Sequence, residues 1–211
     1  MLTGLVAIVV SIWRFTTDRT KLEAAIAEQL GNAGGDVYRD RDGRVSEIYV
    51  FDISESDPAT WKSLARLTRI VSFDDDCTDA DLKAIAKCGS VQELVMNGGS
   101  YSGEGLAALE GLPELRLLSL RDSYLSSLQV NGLACNTRLK SLDIGLKESA
   151  IPEFEAKSFL SNLEVLDVRL EADVSSGFAV PPPTRLRKLD RLNIRGGSPT
   201  GELLSNLVDV S

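Results

Sequence analysis

The sequence contains no histidine, which removes the side chain most often used as a general base and as a metal ligand. Its three cysteines are an odd number and have no C-x-x-C spacing, so neither a disulfide framework nor a zinc site is expected. Aromatic residues are only 6% of the chain, so a core must come mainly from aliphatic side chains. The net charge of −8 leaves no basic excess to neutralise phosphates, which excludes a general nucleic-acid binder.

What the chain does contain is an apolar pattern, L-x-x-L-x-L, that recurs at a nearly constant spacing. Its copies begin at Val45, Leu67, Val91, Leu115, Leu139, Leu163 and Leu189. Successive copies are therefore 22, 24, 24, 24, 24 and 26 residues apart. A period in the twenties is typical of a leucine-rich repeat solenoid. We predict an α/β fold of this type, a curved parallel β-sheet of about seven strands with helical or irregular returns, in which Leu118 and Leu142 are fully buried.

The returns between strands carry signals for short capped helices. Residues eleven positions past four of the strand starts are good N-cap types, namely Thr78, Ser102, Ser126 and Thr200. Thr78-x-x-Asp81 and Ser126-x-x-Gln129 match capping boxes. The sixth return is different, because three consecutive prolines at 181–183 favour an extended stretch. The cysteines, Cys77, Cys88 and Cys135, fall on or beside the apolar rows, so buried structural thiols are expected.

The N-terminus is an apolar run, residues 2–13, that ends at Arg14. A membrane-spanning helix needs about 20 apolar residues, so segment 1–17 is interpreted as a membrane anchor that is either truncated or marginal. A secretory signal peptide would have basic residues before the run and a small-residue cleavage site after it, and neither is present. The alternative is an apolar strand or helix packed on the end of the solenoid. We expect a membrane-associated, single-pass protein, with the side of the membrane left open.

Residues 18–44 are predicted to form a cap that covers the first layer of the repeats. Leu22, Ile26 and Leu30 recur at helical spacing before Gly31, which indicates an amphipathic helix. The Asp-Gly at 42–43 lies between two β-prone runs and indicates a hairpin. The leucine-rich repeats then occupy residues 45–211.

Two stretches resemble known families. Residues 77–86, Cys-Thr-Asp-Ala-Asp-Leu-Lys-Ala-Ile-Ala, resemble the "vTDagLk-xLa" return of many bacterial leucine-rich repeat proteins. The apolar run with Trp13-Arg14, the helix with Ala24-Ala25-Ile26, and residues 34–38 and 43–45 look like the start of short bacterial proteins in which a membrane segment precedes such repeats. The resemblance implies a membrane-anchored binding protein. The same returns, with Cys88, are also similar to the repeats of F-box substrate receptors, which leaves a soluble adaptor or F-box-like receptor as the alternative.

Alternate strand residues point away from the core and line the concave face of the predicted sheet. They include an aromatic and apolar patch toward the N-terminal end and a mixture of Asp and Arg toward the other end. Exposed aromatics and arginines are enriched in binding hot spots. The alternative is that the cap covers the aromatics and the charges only pair with one another. The predicted partner-binding residues are Tyr49, Phe51, Val71, Phe73, Val95, Arg121, Asp143, Asp167, Arg169 and Arg195.

No nucleophile or acid/base constellation is evident, so the predicted function is a non-enzymatic protein–protein interaction module without cofactor or metal. An acidic cluster of Asp74–Asp76 with Asp79 and Asp81 is the one candidate for calcium. Its spacing matches no EF-hand loop, and aspartates at the start of a helix are favoured by the helix dipole. The expected partner is a protein bound on the concave face, with no nucleic acid, a membrane reached through segment 1–17, and an oligomeric state left open.

Overall fold

The computed structural model describes residues 21–32, 34–50, 58–73, 75–171 and 186–196. Eight strands form one open sheet in chain order. They are β1 (Asp36–Arg39), β2 (Val45–Val50), β3 (Arg69–Ser72), β4 (Glu93–Asn97), β5 (Leu117–Leu125), β6 (Ser141–Leu146), β7 (Val165–Leu170) and β8 (Arg191–Arg195). Strands β2 to β8 pair in parallel and β1 pairs antiparallel with β2. The predicted leucine-rich repeat solenoid is confirmed.

Helix α1 (residues 21–32) precedes the sheet. The returns contain the helices α2 (Pro58–Ser63), α3 (Asp79–Ile85), α4 (Gly103–Ala107), α5 (Ser127–Gly132) and α6 (Ile151–Glu155). From α3 onward, each helix packs beside the helix of the next repeat, as each strand does. Each repeat therefore contributes one strand and one return, and the same path is repeated along the array.

The core lies between the strands and the returns. The central position of the pattern is fully buried from β2 to β7, at Ile48, Ile70, Leu94, Leu118, Leu142 and Leu166. From the other side, the returns contribute Leu82, Leu106, Val130 and Phe154, which are equally buried. The predicted burial of Leu118 and Leu142 is confirmed. Ser72 is a polar residue in a core row, and its hydroxyl lies 3.5 Å from the Sγ of Cys77.

The predicted helix caps are present at α3, α4 and α5. Thr78 and Asp81 form a capping box at α3, and Ser126 and Gln129 form one at α5. The carboxylate of Asp79 accepts hydrogen bonds from the backbone N–H of Ser102 (2.7 Å) and from its hydroxyl (2.5 Å), so it orients the cap of the next repeat. Two aspartates of the acidic cluster thus stabilise helix ends, while Asp74 lies outside the described residues. Across those residues, no group of three or more potential metal-binding side chains occurs.

The N-terminal helix differs from its predicted orientation. Ile26 and Leu30 are buried as expected, but Leu22 is half-exposed and the neighbouring Glu23 is fully buried. The Glu23 carboxylate accepts hydrogen bonds from Nε and one Nη of Arg44, the residue before β2. This contact raises the pKa of the arginine. The buried position that the sequence periodicity assigns to Leu22 is therefore taken by Glu23 and its ion pair with Arg44.

The predicted hairpin joins β1 to β2 and is closed by a carboxylate in its turn. Asp40 Oδ1 accepts the backbone N–H groups of Asp42 and Arg44, each at 2.9 Å, and Oδ2 accepts Arg66 at 3.0 Å. The hydrogen bond from the Arg44 backbone, followed by the bond from Arg66, lowers the pKa of the Asp40 carboxyl. The turn is thus held to the loop before β3, in the first repeat.

The prediction of a membrane-associated, single-pass protein is wrong. Over the residues that the structure describes, no helix combines the length and the apolar character required to cross a bilayer. The apolar run at residues 2–13 falls short of the roughly 20 residues that a span requires, and segment 1–17 itself lies outside the described residues.

The three thiols differ in exposure. Cys77 and Cys88 are buried, and burial raises the pKa of the Cys88 thiol. Cys135 is exposed, contrary to the expectation from the sequence. It ends a short 3-10 turn whose first residue, Leu133, takes the buried position. One residue of this turn thus fills the core and another faces solvent.

We expect a thiol-specific reagent such as DTNB to label one cysteine per folded chain rapidly, because only Cys135 of the three is exposed. Cys77 and Cys88 should react only as the chain unfolds. The measurement is the number of fast-reacting thiols in native buffer and in denaturant. A Cys135→Ser variant serves as the control and should lose the fast phase, whereas fast labelling of this variant would contradict the buried positions of the other two thiols.

Candidate functional site

The strand register aligns alternate residues of the sheet into rows that face away from the core. The first row contains Glu47, Arg69, Glu93, Leu117, Ser141, Val165 and Arg191. The second row contains Tyr49, Val71, Val95, Ser119, Asp143, Asp167 and Asn193. Both rows follow the predicted register. They form the concave face, and their side chains are presented by strands whose opposite face is buried.

The third row is interrupted at β5, which the sequence pattern does not predict. Arg121 pairs with Asn97 of β4, but Tyr124 is the residue that lies opposite Gly145 of β6. The extra residues form a bulge, and Asp122 adopts a φ of 62°, in the left-handed region that aspartate tolerates better than most residues. A Cβ on Gly145 would lie 2.6 Å from the carbonyl oxygen of Ser123, so the glycine makes room for the bulge.

The N-terminal end of the concave face is an aromatic zone, which consists of Tyr38, Tyr49, Val71, Phe73 and Val95. The rings of Tyr38 and Tyr49 meet edge to face, with centroids 5.3 Å apart. Tyr38 is 53% exposed and Phe73 is 42% exposed, whereas Val71 is buried. The sequence prediction omitted Tyr38, because this residue reaches the face through the antiparallel strand β1. Phe51, which was predicted for the same patch, lies outside the described residues.

An arginine at the edge of this zone links the aromatic rings to acidic residues. The guanidinium of Arg69 lies 5.9 Å from the centre of the Tyr49 ring, within the range of a cation–π contact. It also forms an ion pair with Glu93, with an N–O distance of 3.4 Å. The hydroxyl of Tyr49 in turn donates to Glu47 at 3.4 Å. Tyr49 is therefore held in place on the sheet, and Tyr38 and Phe73 are the more exposed rings of this zone.

The C-terminal end of the face is an arginine zone, which consists of Arg121, Asp122, Asp143, Asp167, Arg169 and Arg195. Asp143 lies at its centre and accepts from three neighbours: Ser119 Oγ at 3.0 Å, Arg169 at 3.1 Å and Arg121 at 3.4 Å. Arg169 also reaches Asp122 of the bulge at 3.4 Å. The four charged groups on β5, β6 and β7 are thus connected.

A second cluster in the same zone is centred on Asp167. Its Oδ2 accepts hydrogen bonds from Asn193 at 2.8 Å and from Arg195 at 3.1 Å. Its Oδ1 is buried and has no hydrogen-bond partner among the described residues. The structure thus brings together the five predicted charged residues and pairs each of them. The bulge adds Asp122 and Tyr124 to the concave face. The repeat pattern does not predict these two residues, and Gly145 is the only sequence feature that indicates the bulge.

Comparisons with known proteins find similarity to a solved structure. No family model matches the chain, and no curated protein matches it. Among solved structures, an internalin from Listeria monocytogenes is 16% identical, with a TM-score of 0.41 over 72% of this chain and 48% of that chain. The chain thus spans about half the length of the internalin. The assignment of the fold rests on the strand order, register and repeat period of this chain.

Proposed function

We propose that this protein is a non-enzymatic interaction module that binds a protein partner on the concave face of its sheet. The observation that supports the proposal is the placement of the exposed rings of Tyr38 and Phe73 on the same face as the exposed guanidinium groups of Arg121 and Arg195. Aromatic side chains and arginine are the residue types most enriched in binding hot spots. An exposed apolar patch rimmed by polar groups is typical of a protein-binding surface.

The rigidity of the platform supports the same conclusion. The described concave residues of β2 to β7 stand on strands that are paired on both sides and lie above a fully buried core row. Tyr49 and Arg169 are further held by contacts with their neighbours. Side chains that are already ordered lose little conformational entropy when a partner binds, so more of the contact energy becomes affinity.

We expect Phe73→Ala to weaken binding of the partner by about 2 kcal/mol or more, which corresponds to roughly thirtyfold or more in Kd. Phe73 is 42% exposed and stands outside the buried core, so its removal leaves no enclosed cavity and should lower the melting temperature less than truncation of a core residue. Cell-extract proteins crosslinked to the parent protein and to the variant would first be compared. The affinity of any protein lost with the variant would then be measured by calorimetry.

The matched control is Leu128→Ala, which removes an exposed apolar side chain from α5, on the helical side of the solenoid. This variant should retain every partner of the parent protein. If the Phe73 variant retains them too, and its affinity and melting temperature are unchanged, the aromatic zone is not the binding surface. Loss of the partner with the Leu128 variant alone would place the surface on the helical side.

A further inference from the structure

The charges of the arginine zone are layered. The carboxylates of Asp143 and Asp167 are each only 23% exposed and lie close to the sheet. The side chains of Arg121 and Arg195 are 58% and 64% exposed and lie above them. A molecule approaching this end of the concave face therefore meets guanidinium groups first.

Most hydrogen-bonding capacity of the two outer arginines is unused. A guanidinium carries five N–H donors. In the described contacts, Arg121 uses only Nε, at 3.4 Å from Asp143, and Arg195 uses one terminal nitrogen on Asp167. Each arginine is thus anchored at one point and retains a pair of outward N–H groups that fits a carboxylate in a two-pronged contact.

We propose that the arginine zone binds side-chain carboxylates of an acidic, extended segment of the protein partner. This inference rests on the proposed function and specifies the partner's chemistry. Arg121 and Arg195 bind the acidic groups, and Arg169 acts as a positioning residue, because its terminal nitrogens are engaged by Asp122 and Asp143. The zone holds three arginines and three aspartates and is neutral overall, so the outward placement of Arg121 and Arg195, and not a net positive charge, favours an acidic ligand.

The geometry of the sheet gives the spacing of the segment. Neighbouring strands lie about 4.8 Å apart, so Arg121 on β5 and Arg195 on β8 are separated by three steps, or roughly 14 Å. An extended peptide advances about 3.3 Å per residue, so two acidic residues about four positions apart span this distance. Phe73, which follows β3, lies two steps before Arg121, or roughly 10 Å. An apolar residue two or four positions from the first acid, on the same side of the extended segment, would therefore reach it.

One exposed carboxylate opposes this partner. Asp122 is 77% exposed at the tip of the bulge and carries the same charge as the proposed ligand. Asparagine tolerates the left-handed backbone of this position, so Asp122→Asn keeps the bulge while removing the charge. This variant is expected to bind the acidic segment severalfold more tightly.

The test uses a phage-displayed library of random linear twelve-residue peptides, selected on the full chain. The selected peptides are expected to carry Asp or Glu about four positions apart, with an apolar residue two or four positions before the first acid. Each of Arg121→Gln and Arg195→Gln should then weaken a selected peptide by about tenfold or more, and added salt should weaken it further. The control is Arg138→Gln, which removes an exposed arginine that precedes β6 and pairs with Glu114. This variant should bind the selected peptide as tightly as the parent protein does.

The outcomes separate this proposal from the proposed function. Peptides that lack an acidic excess but are lost with Phe73→Ala would leave the concave face as the binding surface and overturn the acidic ligand. Peptides that bind all concave variants as well as the parent, or the absence of any selected peptide, would overturn both. Polyuridylate is added as a competitor of the selected peptide. If this polyanion displaces the peptide as well as an unlabelled copy of the peptide does, the zone attracts negative charge in general and does not recognise a peptide.

Discussion

Replacement of Arg44 by alanine is expected to lower the free energy of unfolding by about 3–5 kcal/mol. The Glu23 side chain is only 1% exposed, and the variant removes from it a guanidinium that donates through two nitrogens. Without Arg44, the buried carboxylate keeps its desolvation cost and loses a charge-assisted contact that offset part of that cost. Urea denaturation with a constant m-value would measure the difference.

The same variant should loosen one end of the molecule selectively. The ion pair joins α1 to the start of β2, so hydrogen exchange of the α1 amides should accelerate more than that of β6 or β7. The control is the double variant Glu23→Leu with Arg44→Met, which removes both charges and should regain most of the lost stability. A single variant within about 0.5 kcal/mol of the parent would show that the pair contributes little.

Replacement of Leu118 by alanine is expected to cost about 2–5 kcal/mol. Leu118 is fully buried in β5, and its register partners on both sides, Leu94 and Leu142, are fully buried too. The truncation would therefore leave a cavity between neighbouring repeats that paired strands cannot easily close. Because each repeat is stabilised mainly by its neighbours, the loss should affect the repeats on both sides.

Denaturant unfolding gives the magnitude for Leu118→Ala, and Leu128→Ala is its matched control. The control removes the same atoms from an exposed site on α5 and should change stability by less than about 0.5 kcal/mol. Equal costs for the two variants would contradict the assigned core. Leu142→Ala, one repeat along, should behave like Leu118→Ala, since the two positions are equivalent in the array.

The repeat period predicted the fold because its signal is redundant. Each parallel strand carries the same spacing of buried residues, and the caps at Thr78, Ser102 and Ser126 occur at the same offset. Local signals that agree in several copies outweigh an error in any one of them. The membrane prediction had no such support, because it depended on a single apolar run that was too short.

Predictions of single orientations failed where a distant partner decided the outcome. The spacing of Leu22, Ile26 and Leu30 suggested the buried stripe of α1, but the place of Leu22 is taken by Glu23. The cause is Arg44, which is 21 residues away in the chain and offers the carboxylate a charged partner. The cause is local at Cys135, which faces solvent because Leu133 of the same 3-10 turn takes the buried position.

The sequence by itself determined the repeat, the parallel order of the strands and which residues share the first two rows of the concave face, because these follow from a period of two within strands and about 24 between them. Only the tertiary structure decided how those rows are used. The bulge at Asp122, the contact of Tyr38 with Tyr49 and the layering of Arg121 and Arg195 over Asp143 and Asp167 depend on contacts between repeats or with the hairpin. Such contacts have no period, since each arises from one pair of side chains that meets only after the strands are aligned.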